Sequence, residues 1–139
     1  EQITLPVKGW TRTHMWFDDD DWAGGRGHLE RQNITVVLSI YPECKAAGFD
    51  NEKSVTEPQT LETGITKLLV TYHRFSVEDS PDAAQTLVAE FPRAFKVMDD
   101  ALSAGKNVLV HCNAGVSRST SVVLQYLIQK NKINFDEAL

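Results

Sequence analysis

The sequence has few cysteines, no long hydrophobic run and no excess of positive charge. Its two cysteines, Cys44 and Cys112, are too few and too far apart for a disulfide framework or a zinc-binding pattern. No apolar stretch approaches the roughly 18 residues that a transmembrane helix needs. The net charge of −5 argues against broad binding to nucleic acids or membranes. We therefore expect a cytoplasmic protein in a reducing compartment, with neither nucleic acid nor membrane as a partner.

The composition that remains is that of an ordinary globular domain. Of the 139 residues, 42% are hydrophobic and 24% are charged, which excludes a disordered, collagen-like or coiled-coil chain. A chain of this length can bury a hydrophobic core of its own. We predict a single domain over residues 1–139, in which Cys44 is a small buried hydrophobe.

Four consecutive aspartates, from Asp18 to Asp21, form the one run of like charge. Such a run usually marks a solvated loop. A site for a hard cation needs several oxygen ligands that converge from fixed positions, and only the run itself suggests them. We therefore interpret this segment as a loop and expect no metal ion there.

Strand patterns recur along the chain from residue 34 onward. The β-branched, apolar run Ile34–Ile40 predicts a strand that is buried on both faces. Residues 67–77 predict one extended strand region, and residues 107–110 a short buried strand. Between the first two, residues 41–64 contain prolines and glycines and show little periodicity, which predicts a loop with at most one helical turn.

Helical patterns separate and follow these strands. One helix opens at Pro81 and Asp82 and ends at Gly105, a typical C-cap residue. Its apolar residues recur at spacings of three and four and share one face: Leu87, Val88, Phe91, Ala94, Phe95, Met98 and Leu102. A second helix is predicted over residues 119–130. Alternating strands and helices predict an α/β fold in which a central, mostly parallel sheet is flanked by helices.

The segment His111–Ser119, with the sequence HCNAGVSRS, connects the last predicted strand to the last helix. A loop in this position is a usual ligand site in α/β proteins. Its free N–H groups and the helix dipole favour anions, phosphate in particular. Cys112 opens this loop, and a thiol beside a helix N-terminus and an arginine loses its proton easily. We therefore predict that Cys112 is a thiolate nucleophile.

Three further residues of this segment are suited to phosphate chemistry. Gly115 allows the loop to curl tightly around an oxyanion. Arg118 can grip two phosphate oxygens with parallel hydrogen bonds, which a lysine cannot do. Ser119 has a hydroxyl that can either cap the helix or donate a hydrogen bond to the thiolate. Nucleophile and charge neutralisation are thus supplied without a metal or cofactor.

These residues match the HC-x-x-x-x-x-R-[ST] signature of the protein tyrosine phosphatase superfamily. The fuller HCNAGVSRS resembles the dual-specificity branch, whose loops typically read HC-x-A-G-x-S-R-S. The resemblance extends more loosely from about Ile34 to the end of the chain, and it implies a protein tyrosine phosphatase-like fold. The family's domain often continues with another helix beyond the segment Asp136–Leu139, so we expect a truncated C-terminal end.

The resemblance also implies a role for each loop residue. Cys112 would attack phosphorus and form a cysteinyl-phosphate, Arg118 would stabilise the transition state, and Ser119 would help the thiolate to leave. His111 would hold the cysteine by hydrogen bonds, a structural role that we favour over general base because a thiolate needs no base. The phosphate would be bound by the backbone N–H groups of Asn113, Ala114, Gly115, Val116, Ser117 and Arg118.

Cleavage of a phosphate ester requires a proton for the leaving oxygen, and in the family an aspartate on a mobile upstream loop supplies it. Here the segment Phe75–Asp82 follows a predicted strand and precedes a helix. The resemblance assigns the role to Asp79, which lies 33 residues before Cys112. Two alternatives stay open: Asp82, whose carboxylate is better placed to cap the following helix, and Glu78.

The dual-specificity resemblance implies a phosphorylated protein as the substrate, with phosphotyrosine, phosphoserine and phosphothreonine all accepted. No segment resembles the loop with which the tyrosine-specific branch deepens its pocket, which favours a shallow site. The variable loop positions are uncharged, which argues against a phosphoinositide substrate. Two other functions stay open: hydrolysis of a non-protein phosphoester, and phosphate binding without turnover.

Overall fold

The described part of the chain consists of strands that alternate with two long helices. The computed structural model describes residues 15–18, 29–30, 33–44, 46, 48–53, 56–63, 67–112 and 117–131. The strands are β1 (Met15–Asp18), β2 (Ile34–Ser39), β3 (Gln59–Glu62), β4 (Leu69–Arg74) and β5 (Asn107–His111). The helices are α1 (Ala84–Ser103), which follows a 3-10 turn at Pro81–Ala83, and α2 (Ser117–Asn131). Neither helix is apolar enough over a sufficient length to cross a membrane.

The strands form one sheet in the order β1-β5-β2-β4-β3. Strands β1, β5, β2 and β4 run parallel, and β3 pairs antiparallel with β4 at the edge. The predicted α/β fold, with a mostly parallel sheet flanked by helices, is confirmed. Because parallel strands point the same way, their carboxyl ends meet at one edge of the sheet, where α/β proteins bind ligands.

Side chains of the two central strands alternate between the two faces of the sheet. Leu38 of β2 and Val110 of β5 face the larger buried cluster, to which both helices contribute. The helix residues buried in that cluster are Ala94, Met98, Ala101, Val122, Val123, Tyr126 and Leu127. Val37 and Leu109 belong to a smaller buried cluster on the opposite face. The run that begins at Ile34 is therefore a strand covered on both sides, as predicted.

Three sequence predictions were wrong in detail. Strand β3 lies inside the segment that was predicted to be a loop, because an edge strand of sequence QTLE needs no continuous apolar pattern. The extended region predicted over 67–77 ends as a strand at Arg74. Val88 was predicted on the buried face of α1, yet it is 58% exposed. The apolar face of that helix is narrower than its sequence suggested.

The aspartate run falls partly outside the predicted loop. Asp18 is the last residue of β1 and pairs in register with His111 of β5, so the loop interpretation was wrong at this position. Asp19, Asp20 and Asp21 lie outside the described residues.

Gly105 closes α1 in the left-handed conformation, with a φ of 74°. Its N–H donates to the carbonyl of Leu102, and the N–H of Lys106 donates to that of Ala101, which is the Schellman pattern of a helix C-terminus. The predicted C-cap is confirmed.

We expect Gly105→Ala to lower the free energy of unfolding by about 1 kcal/mol, because a Cβ disfavours left-handed backbone. Apart from the two neighbouring residues of the chain, no atom lies within 4 Å of the added Cβ, so the loss would come from conformation alone. Urea unfolding measures it, with the exposed Ser103→Ala as the control. An unchanged midpoint for Gly105→Ala would contradict this explanation.

Candidate active site

Cys112 directly follows β5 at the carboxyl edge of the sheet. Its side chain is fully buried in the larger core cluster. Helix α2 begins at Ser117, two residues earlier than predicted. Cys112 therefore lies between the end of a strand and the start of a helix. The loop residues Asn113, Ala114, Gly115 and Val116 lie outside the described residues, and their role in phosphate binding, like that of Ser117, stays a prediction.

Ser119 lies beside the thiol of Cys112. The Sγ and Oγ atoms are 3.3 Å apart, and both side chains are buried. The sequence left helix capping and contact with the cysteine as alternatives for this hydroxyl. Since α2 already begins at Ser117, Ser119 is inside the first turn, and its hydroxyl can donate a hydrogen bond to the sulfur of Cys112.

Arg118 joins α2 to the segment that carries the candidate acid. Its side chain is only 7% exposed, and its Nη1 donates a 2.8 Å hydrogen bond to the carbonyl of Val77. Its Nη2 lies 4.0 Å from Oδ2 of Asp79, whose side chain is 59% exposed. Such a pair has little Coulomb energy in water. The buried bond to Val77 is therefore the firmer link between the guanidinium and this segment.

His111 is completely buried. Its Nε2 lies 2.6 Å from Oγ of Ser39, at the end of the neighbouring strand β2. The ring of Tyr41 contacts it edge-on, with centroids 5.2 Å apart. The hydroxyl of Ser39 also donates to Sγ of Cys44. The contacts described for this ring are thus with Ser39 and Tyr41, and the structural role of His111 beside Cys112 stays a prediction.

Ser39 is a supporting residue that the sequence reasoning missed. It occupies the only hydroxyl position near the end of the apolar run of β2, and it is fully buried. A buried hydroxyl requires a hydrogen-bond partner. A single serine at the end of a buried strand thus indicates that a polar side chain lies opposite it on the neighbouring strand, here His111.

The three candidates for the general acid differ in position. Asp79 and Glu78 line a pocket of about 160 Å3 together with Arg118 and Leu87. Asp82 lies in the 3-10 turn before α1 and does not line this pocket. The predicted side-chain cap was wrong, because neither the turn nor α1 has a side-chain hydrogen bond at its N-cap. Of the two carboxylates in the pocket, Asp79 is the one that approaches Arg118.

Two other titratable side chains near this edge stay uncharged at neutral pH. Burial raises the pKa of the Cys44 thiol, although hydrogen bonds from Ala46 and Ser39 act in the opposite direction. Cys44 is 3% exposed, which agrees with its interpretation as a small buried residue. Burial, with a smaller contribution from the charge of Arg93, lowers the pKa of His73 to about 4.

A family model described as dual specificity phosphatase, catalytic domain, matches residues 23–139. Dual specificity protein phosphatase 2 of Mus musculus is 37% identical over 110 residues, which are 79% of this chain and 28% of that relative. Dual specificity protein phosphatase 19 of Mus musculus is 36% identical over 138 residues, which are 91% of this chain and 62% of that relative. The chain thus spans less than two thirds of the length of either relative.

A solved structure extends the comparison to the fold. The human tyrosine phosphatase-like serine/threonine/tyrosine-interacting protein matches with a TM-score of 0.65 and 23% identity, covering 90% of this chain and 74% of that one. That protein is described as phosphatase-like and as interacting. The shared fold alone therefore does not separate catalysis from binding, and the side chains at the site have to make that distinction.

Proposed function

The chain belongs to the dual specificity phosphatase family, and we propose that it hydrolyses phosphotyrosine and phosphoserine or phosphothreonine in proteins through a cysteinyl-phosphate intermediate. The observation that carries this proposal is the contact of 3.3 Å between the buried Cys112 thiol and Ser119, next to Arg118. A module that only binds phosphate needs the cation, but it needs neither a buried nucleophile nor an acid on the adjoining segment.

In the first step the thiolate of Cys112 attacks phosphorus, an S–P bond forms, and the P–O bond to the substrate breaks. The departing oxygen takes a proton from Asp79. Arg118 holds two non-bridging oxygens of the phosphoryl group, where charge is spread in the transition state. Its hydrogen bond to the Val77 carbonyl draws the segment that carries Asp79 toward the same phosphoryl group.

In the second step water attacks the cysteinyl-phosphate, the S–P bond breaks, and inorganic phosphate leaves. Asp79, now a carboxylate, accepts a proton from the water, since the residue that acts as acid in one direction acts as base in the next. The hydroxyl of Ser119 donates a hydrogen bond to the departing thiolate of Cys112, at the distance at which the two side chains already lie.

The family to which the chain belongs and the exposure of the candidate acid are the basis for proposing dual specificity. Asp79 lines a pocket of about 160 Å3 beside Arg118, and its side chain is 59% exposed. A phosphothreonine, whose side chain is short, can reach an acid that is exposed at the surface.

Release of inorganic phosphate from matched phosphotyrosine and phosphothreonine peptides tests this specificity. We expect the purified chain to hydrolyse both peptides in the presence of a chelator. Hydrolysis of small phosphoesters without either peptide would favour a non-protein substrate. Peptide binding without any release of phosphate would favour a binding module and would contradict the proposal.

Asp79→Asn is expected to lower kcat for phenyl phosphate by about 100-fold, because the leaving phenolate then departs without a proton. Dinitrophenyl phosphate should lose less than about 10-fold, since its leaving oxygen is already a weak base. Steady-state kinetics with both esters measure the difference.

The neighbouring carboxylates supply matched controls for this variant. In Glu78→Gln and Asp82→Asn, the ratio of kcat for dinitrophenyl phosphate to kcat for phenyl phosphate should be the same as in the unmodified chain. If either of them reproduces the selective loss and Asp79→Asn does not, the acid has been assigned to the wrong residue.

A further inference from the structure

Arg93, in the third turn of α1, contacts the start of the segment that carries Asp79. Its Nη2 donates a 2.9 Å hydrogen bond to the carbonyl of Arg74, the last residue of β4. Its guanidinium lies over the ring of Phe75, 3.9 Å from the centroid. Its Nε and Nη2 also bind the carboxylate of Glu90, one turn earlier in the helix, at 3.0 and 2.7 Å.

From these contacts we infer that Arg93 is a positioning residue that fixes the geometry of proton donation by Asp79. The inference rests on the proposed function, because it needs Asp79 as the acid. It adds a determinant of the reaction that lies outside the signature loop and outside the pocket lining.

The path from Arg93 to Asp79 runs along the backbone from Phe75 to Val77, and both of these side chains are buried in the larger core cluster. Phe75 is fully buried, and its N–H donates to the carbonyl of Ser39, which ties the start of the segment to β2. The next fixed point is Val77, whose carbonyl accepts from Arg118. The carboxylate of Asp79 lies two residues further on and is largely exposed. Its position is therefore set by where the backbone at residues 75–77 is held.

The chemistry at this position requires an arginine. A planar guanidinium can stack on an aromatic ring, donate to a carbonyl and bind a carboxylate at the same time. A lysine ammonium is a compact charge that cannot cover the Phe75 ring in the same way. Glu90 balances the charge, and the side chains of Arg93 and Glu90 are 28% and 31% exposed, so the group is partly shielded from solvent.

The test uses two substitutions and a control on the same helix. Arg93→Ala removes all three contacts, and Arg93→Lys keeps the charge in case the alanine variant does not fold. Lys96→Ala removes another cation from α1, one whose partner is Asp100 at 3.0 Å and whose side chain is 77% exposed. Thermal unfolding of each variant, followed by kcat/KM for phenyl phosphate and dinitrophenyl phosphate, separates folding from proton donation.

We expect Arg93→Ala and Arg93→Lys to lose about 10-fold with phenyl phosphate, because a displaced catalytic group reacts poorly. The loss with dinitrophenyl phosphate should be less than about twofold, since that ester needs no proton. Lys96→Ala should change neither value. Equal losses with both esters would mean that Arg93 only stabilises the fold, and they would overturn the inference.

The double variant Arg93→Ala/Asp79→Asn identifies the residue through which Arg93 acts. If Arg93 works through Asp79, its removal has no further effect on the leaving-group dependence once Asp79 is an asparagine. If the losses of the two single variants multiply in the double variant, Arg93 acts independently of Asp79. That result would overturn the inference even if Asp79→Asn alone shows the selective loss expected of the general acid. If instead Asp79→Asn leaves the dependence unchanged, the general acid is wrong and the inference about Arg93 falls with it.

Discussion

Cys112→Ser is expected to lower phosphatase turnover by at least about 10,000-fold while the chain still binds a phosphopeptide. A serine hydroxyl in this position is a far weaker nucleophile than a thiolate. The side chain is fully buried and changes little in size, so the fold and the phosphate site should persist. Turnover of p-nitrophenyl phosphate and calorimetric titration with a phosphotyrosine peptide measure the two properties.

Cys44→Ser is the matched control for this substitution. Cys44 is the other buried cysteine, and its Sγ accepts a hydrogen bond from Ser39 rather than lying beside Ser119. We expect this variant to keep turnover within the range of the unmodified chain. If turnover survives in Cys112→Ser and disappears in Cys44→Ser, the nucleophile has been placed on the wrong cysteine.

Arg118→Lys is expected to lower kcat by about 1,000-fold although the charge is kept. The ammonium cannot bind two phosphoryl oxygens in parallel. A lysine that contacts the phosphoryl group also loses the 2.8 Å hydrogen bond that the guanidinium donates to the carbonyl of Val77. The variant should therefore stabilise the transition state of phosphoryl transfer less well, and Asp79 should be less well positioned for proton donation.

Arg74→Lys is the matched control, because it makes the same substitution at an arginine that is equally buried. Arg74 and Arg118 are each 6% exposed, but the guanidinium of Arg74 binds Asn51 and the carbonyl of Lys53 instead of the pocket. We expect Arg74→Lys to lower the melting temperature and leave kcat nearly unchanged. Near-normal kcat in Arg118→Lys would contradict the bidentate contact with phosphate.

The parts of the fold that could be predicted are those with a strong local pattern. Four of the six residues of β2 are apolar, and the Schellman end of α1 depends on one glycine. Strand β3 has no such pattern, because it is an edge strand whose sequence QTLE alternates between partly buried and exposed side chains. Its place in the sheet follows from pairing with β4, and a sequence does not reveal such pairing locally.

The candidate site shows the same division. Cys112, Arg118 and Ser119 lie within eight residues of the sequence, so the signature predicted their proximity, and the 3.3 Å contact between Cys112 and Ser119 agrees with it. Arg93 is different, since its contacts with Arg74 and Phe75 join residues that are 19 and 18 positions apart. No periodicity within α1 distinguishes this arginine from Lys96, the exposed cation of the same helix. Its role depends on how the helix packs against the end of β4.

The most direct test of the account is to locate the phosphate on the protein during turnover. The chain would be mixed with a phosphoester, quenched in acid within the first turnovers and analysed by mass spectrometry after proteolysis. We predict one phosphoryl group on the peptide that contains Cys112, present in Cys44→Ser and absent in Cys112→Ser. Turnover without phosphate on any cysteine, or with phosphate on another residue, would contradict the cysteinyl-phosphate mechanism.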